Sequence, residues 1–158
     1  RSENSVSALV LVIPMLLGLI NGKYKTYTDA INDCVLPYLH LPKITGKELL
    51  DMYLKHNGPK NIDKKTTYLM HTEYEENTFD PYKYINNNDD SIIGERLTTA
   101  CYTEHGIPMI IYIMLRFNFD MIKCLLYNTN IGGDNVHRSM IIGLLIGAGM
   151  DKPNKEFE

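Results

Sequence analysis

The sequence predicts an all-α protein, a compact helical bundle, on three observations. Helix start and stop signals recur along the chain, strand-like alternation is hard to find, and two apolar segments near the C-terminus are joined by a glycine–acid turn. The first element is the apolar run Ala8–Ile20. Thirteen residues fall short of the roughly 20 needed to span a bilayer, and no small-residue cleavage site follows, so the run predicts a buried helix and neither a membrane segment nor a signal peptide. Pro14 is expected to bend this helix, and Gly18 and Gly22 to stop it.

Thr28-Asp29 reads as the cap of a second helix, with Ala30, Ile31, Cys34 and Val35 at helical spacing and Pro37 at its end. Thr45-x-x-Glu48 is a capping box, and Ile44 and Leu49 are placed for a hydrophobic staple. The helix it opens carries Leu50, Tyr53 and Leu54 and is expected to close at Asn57-Gly58-Pro59. Residues 60–90 are polar and dotted with tyrosine. They predict a long loop or insertion with one short helix around Tyr68–Glu75, and Asp80-Pro81 marks a turn.

Beyond Ser91 the helical pattern resumes. Ile93, Arg96, Leu97, Ala100 and Cys101 share one predicted face up to Gly106, and Pro108 suits the first turn of the next helix. Phe119–Tyr127 is the following one. The last, Ser139–Met150, is apolar on nearly every side and is expected to be central and buried. Gly143 and Gly147 are four apart there, placed for close approach of a neighbouring backbone.

The 158 residues fit a single domain (1–158), long enough to bury a core, with 44% hydrophobic and 22% charged residues as in ordinary globular proteins. A formal net charge of −3 leaves no electrostatic footprint for nucleic acid. The three cysteines, Cys34, Cys101 and Cys124, are odd in number and widely spaced, which argues against a disulfide scaffold and for an intracellular, cytoplasmic setting.

Chemistry concentrates in Ile131-Gly132-Gly133-Asp134-Asn135-Val136-His137. Paired glycines permit positive φ and close approach to a ligand or a helix. Asp134 then stands at a helix N-cap, its carboxylate able to accept backbone N–H groups or to hold a cation. The spacing itself admits both a well-capped joint and a binding turn.

The residues around the turn resemble a known family. Thr129-Asn130-Ile131-Gly132-Gly133-Asp134, followed by Met140–Met150 with its Gly147-Ala148-x-x-like ending, is similar to the C-terminal signature of the ADP-ribosylglycohydrolases. Gly106–Phe117 falls where that family has its penultimate apolar helix, and Met150-Asp151-Lys152-Pro153 is similar to its short exit. The resemblance runs from Glu95 to Lys155. It implies an orthogonal helical bundle of the ADP-ribosylglycohydrolase type, incomplete on its N-terminal side. It also implies a site at Gly132, Gly133 and Asp134, a ligand such as ADP-ribose or an ADP-ribosylated protein, and magnesium as cofactor.

The chain departs from the family where the metals bind. The family's Asp-Thr-Asp-Thr reads here Asp134, Asn135, Val136 and His137, so one carboxylate survives and Asp134 is the residual metal ligand. Valine has no donor atom, and imidazole suits hard Mg²⁺ poorly. The family's N-terminal Thr-Asp-Asp-Thr run has no counterpart; Asp89-Asp90-Ser91 echoes it out of order. Impaired or absent hydrolysis is therefore expected of a relative of enzymes that remove ADP-ribose from proteins. The alternative is a non-catalytic nucleotide-binding or structural scaffold, like the family's lens-crystallin members.

Other groupings are weaker. Cys101 and His105 are four apart on a predicted helix, a metal-like spacing that no second pair completes. His105 before Gly106 reads as a helix C-terminal residue, and His40, His56 and His71 as surface or loop residues. The tyrosines of Tyr68–Tyr84 have the chemistry to stack on an adenine.

Overall fold

A computed structural model describes residues 3–55, 73–87 and 90–150. The chain is mostly helical: α1 (Glu3–Ile20), α2 (Tyr27–Cys34), a short 3₁₀ turn (Leu36–Tyr38), α3 (Gly46–Lys55), α4 (Tyr82–Ile85), α5 (Thr103–Arg116), α6 (Met121–Asn130) and α7 (Asn135–Ala148). It also has a two-stranded antiparallel sheet, β1 (His40–Pro42) against β2 (Tyr74–Thr78), which the sequence did not signal. β1 is three residues long and ends in proline, and β2 reads Tyr-Glu-Glu-Asn-Thr with its side chains largely exposed. Backbone pairing, with His40 opposite Thr78 and Pro42 opposite Tyr74, holds the two together without an apolar alternation. The expected helix around Tyr68–Glu75 is thus overturned from Tyr74 onward, and its earlier part lies outside the described residues. So do His56, His71 and the Asn57-Gly58-Pro59 stop. The polar stretch 60–90 carries β2 and α4 in its described part, so it is not all loop.

Helix α5 is the centre of the fold. Ile107 through Met114 are all buried, and the helix packs on α1, α6, α7 and β1. The sequence pointed instead to the last helix as central. α7 buries one side only, through Arg138, Ile142, Leu145 and Ile146, while Val136, Met140 and Leu144 are exposed. An apolar circumference permits burial all round, but neighbours lie on one flank alone. Gly143 and Gly147 face open space, with no atom within 4 Å of where a Cβ would stand, so they mediate no close helix contact. Gly143→Ala should therefore stabilise the protein by about 0.5–1 kcal/mol, the ordinary gain of alanine over glycine in a helix. Urea unfolding checks this, and a loss of stability would mean that a neighbour crowds the position.

α1 runs through Pro14 and Gly18 without stopping, and the chain turns at Gly22, whose φ is +68°. It buries the stripe Leu11, Met15 and Leu19 and leaves Leu9, Ile13 and Leu17 exposed, so it is half-buried and not enclosed. The cap of α2 is Thr26, whose hydroxyl accepts from the Asp29 N–H at 3.0 Å, two residues earlier than expected. The capping box of α3 forms in full. Thr45 Oγ1 accepts from the Glu48 N–H at 3.1 Å, and the Glu48 carboxylate accepts from the Thr45 N–H at 2.8 Å. The Thr45 N–H, and after it the Thr45 hydroxyl, which also donates to the carboxylate at 2.8 Å, hold the Glu48 carboxyl below its ordinary value. Ile44 and Leu49 are both buried beside it.

Between Ser91 and Thr103 the chain is not the continuous helix that was expected. Ile92–Arg96 is a wide turn closed by the Leu97 N–H on the Ile92 carbonyl (2.8 Å), with Gly94 at φ +94°. Tyr102, in extended conformation, then precedes α5. Pro108 sits in the second turn of α5, not the first, because the helix begins at Thr103, ahead of Gly106. Asp120 caps α6, accepting from the Lys123 N–H at 3.1 Å, so this helix starts after Phe119.

Candidate functional site

The turn between α6 and α7 is built by two consecutive left-handed residues, Gly132 at φ +71° and Gly133 at φ +65°. An L-side chain at either position costs roughly 1–2 kcal/mol in backbone strain alone. Gly133 meets a second constraint, since a Cβ there would stand 2.2 Å from the Thr99 carbonyl oxygen. The turn is pressed onto Thr99, and the Asp134 N–H donates to that same carbonyl at 2.8 Å.

Arg138 holds the arrangement from inside. It is 3% exposed, and its guanidinium donates through Nε to Asn128 Oδ1 (2.7 Å), through Nη1 to the Thr99 carbonyl (2.9 Å) and through Nη2 to the Gly132 carbonyl (2.5 Å). Asn128, fully buried on α6, donates in turn to the Asn135 carbonyl and to Ser139 Oγ, each at 2.8 Å. Burial draws the Arg138 guanidinium below its ordinary value, and the Asp134 carboxylate opposes that. Sequence reasoning missed Arg138, Asn128 and Thr99. The available signal was a lone arginine just ahead of the apolar run Met140–Ala148, since a charge drawn inside with that run needs acceptors.

Asp134 occupies the N-cap position of α7, but its carboxylate does not cap. With φ −80° and ψ +61° it is outside the extended region that aims an N-cap side chain at the helix N–H groups, and it makes no such bond. Oδ1 instead meets His137 Nδ1 at 2.6 Å. Both residues line a cleft of about 270 Å³. Cys101, Tyr102 and Thr103 also line it, and Ile107, Ile110 and Ile141 add apolar wall. Asp134 therefore lines a cavity, whereas Gly132 and Gly133 shape the backbone behind it and are not among its walls.

Cys101 and His105 do not form a pair on one helix. Cys101 is exposed ahead of α5, and His105 is fully buried in the first turn of α5, where Nδ1 accepts from the Thr98 N–H at 3.3 Å. The extended Tyr102 between Cys101 and α5 breaks the helical spacing, and His105 stands at a helix start, not at a helix C-terminus. His40 lies on β1 with Nδ1 bonded to the Glu75 carbonyl at 2.9 Å. Of the tyrosines of the 68–84 stretch, Tyr68 lies outside the described residues, and Tyr74, Tyr82 and Tyr84 do not line the Asp134 cleft: Tyr84 packs on Phe79, and Tyr74 lines a different cavity. The aromatic ring at the cleft is Tyr102.

A pair of Mg²⁺ ions does not fit these residues. Val136 is exposed and has no donor, the Asp134 carboxylate is engaged by an imidazole, and hard cations take about six oxygens. Among the described residues no three His, Cys, Asp or Glu side chains converge as a metal site. Asp90, the echo of the acidic motif, is committed elsewhere. It accepts from Tyr112 Oη (2.7 Å), Tyr127 Oη (3.0 Å) and Arg116 (3.1 Å), tying α5 to α6. Burial, with the bond to Asp90 second, pushes the Tyr127 phenol up to about 12. No described helix is long and apolar enough to cross a membrane. The chain matches no protein-family model, no curated protein and no solved structure.

Proposed function

We propose that this chain is an ADP-ribosylglycohydrolase-like helical protein that holds an ADP-ribosyl group in the cleft at the start of α7, with hydrolysis impaired or absent. One observation carries the proposal. The Gly132-Gly133 turn brings Asp134 to the wall of a cleft that Tyr102 and the apolar side chains of Ile107, Ile110 and Ile141 also line. In that role Asp134 accepts from ribose hydroxyls, and Tyr102 offers a face to the sugar or the base.

Hydrolysis of the glycosidic bond needs an activated water, which the family obtains from two metals. The donor set around Asp134 does not support them, so binding without efficient turnover follows. A purely structural scaffold is the second reading, and a specific observation favours it: the carbonyls and guanidinium of the turn are consumed by one another. The three free cysteines fit a reducing, intracellular compartment.

A thermal-shift titration with ADP-ribose, with and without Mg²⁺, separates these readings. At about one hundred times Kd, a ligand of the folded state adds about 2.7 kcal/mol, a rise of several degrees in Tm. The proposal expects that rise without Mg²⁺. No shift at millimolar ADP-ribose would leave the scaffold reading standing, and Mg²⁺-dependent release of ADP-ribose from modified protein would overturn the impaired-enzyme reading.

A further inference from the structure

From Ala8 to Ile20 helix α1 carries no polar side chain, and no charged residue occurs between Asn4 and Gly22. A helix of that composition belongs in an interior, yet only half of α1 is covered. Leu11, Met15 and Leu19 turn into the core, whereas Leu9, Val10, Ile13, Leu17 and Ile20 are between 44% and 63% exposed. At 3.6 residues per turn these five, with exposed Pro14, fall within one arc of about 140°. Single apolar side chains on a surface are ordinary, but five along one helix face form a patch.

The patch fits a second copy of the same chain. Along its middle run Leu9, Ile13 and Leu17, a row at i, i+4 and i+8 that reads the same in both directions. Two such rows, antiparallel about a two-fold axis, set Ile13 against its own copy and Leu9 against Leu17 of the second copy. Rows of this kind interdigitate at the commonest helix crossing, about −50°. A self-pairing surface also places every charge near its own like, and this face carries none to repel. Its size agrees. The five side chains leave on the order of 500 Å² of apolar surface in water, at the upper end of a monomer's largest patch. Two copies together remove on the order of 1,000 Å², where specific interfaces begin. A membrane surface is a poorer occupant, because a helix lying on one carries lysine and arginine along its margins, and α1 has neither from Asn4 onward.

We propose that the exposed face of α1 is the contact through which two copies of this chain pair, antiparallel about a two-fold axis at Ile13. The contact is independent of the Asp134 cleft, which α1 does not line, and it stands or falls without the ADP-ribose reading.

Sedimentation velocity of the whole chain tests it. At tens of micromolar the parent should run as a species of twice its 18.1 kDa. Ile13→Glu and Ile13→Lys each set like charges face to face on the axis, so each should weaken pairing at least about a hundredfold and run as a monomer. Mixed together, the two variants should pair at least about tenfold more tightly than either does alone, since the axis then joins opposite charges. Ile13 is on the surface of the single copy, so both variants should fold as the parent does, which far-UV circular dichroism checks. If they do not fold, Ile13→Cys decides: the introduced thiols face each other across the axis and should link two chains under mild oxidation, read by mass spectrometry as a disulfide-bonded peptide pair. A parent chain that stays monomeric would overturn the proposal. So would a dimer that survives both charged variants, folded charged variants that do not pair when mixed, or an Ile13→Cys chain that forms no such link.

Discussion

Arg138→Met should cost about 3–5 kcal/mol of folding free energy, a large share of the roughly 5–15 kcal/mol that holds a domain of this kind folded. The methionine keeps most of the buried volume, so the loss comes from hydrogen bonding and not from a cavity. Three interior acceptors, on Asn128, Thr99 and Gly132, lose a charged donor together. Bonds to charged groups contribute roughly 1.5–3 kcal/mol each, and stranding the acceptors adds their desolvation. Arg138→Lys should recover little, because a single ammonium cannot serve three acceptors set around a planar fork. Urea unfolding of both variants measures this. A methionine variant within about 1 kcal/mol of the parent would mean that the turn is held by something other than its guanidinium.

Gly133→Ala should cost about 3 kcal/mol, clearly more than Gly132→Ala at roughly 1–2 kcal/mol. Both residues are left-handed, so both share the backbone penalty. They differ in what surrounds them. Nothing lies within 4 Å of a Cβ at Gly132, whereas one at Gly133 would stand 2.2 Å from the Thr99 carbonyl oxygen. That oxygen is also an acceptor for Arg138 and for the Asp134 N–H, so displacing it weakens two further bonds. The penalties of Gly133→Ala and Arg138→Met should consequently overlap, with the double variant losing less than their sum. Equal losses at the two glycines would remove Thr99 from the explanation.

Local features of this fold were legible in the sequence, and features made by chain crossings were not. The Thr45–Glu48 box is a matter of four consecutive residues and forms as its spacing says. The glycine pair likewise announced positive φ, and the residue after it was correctly placed at the start of a helix. What the Asp134 carboxylate would bond to was not legible, because it turns on one ψ angle and on the imidazole three residues ahead. Asn128 and Arg138 meet only because the turn between them folds back, and Thr99 reaches them from a distant segment. Neither partnership leaves a periodic trace. The sheet was illegible for another reason: it satisfies backbone groups along polar residues, where hydropathy says nothing. Burial was misassigned between the last two long apolar helices, since composition shows which faces can be covered and only topology shows which are.

The position of α5 also bears on how the protein is made. Its walls come from α1, near the start of the chain, and from α7, near the end, and Tyr27 Oη donates to the Ile146 carbonyl 119 residues away. At a synthesis rate of about 5–20 residues per second, the run Ile107–Met114 leaves the ribosome seconds before the helix that shields it. During that interval a stretch rich in isoleucine and methionine is open to other nascent chains. The yield of this protein in a cell should thus depend on chaperone supply and on the pace of translation across residues 117–146, even where the finished molecule is stable.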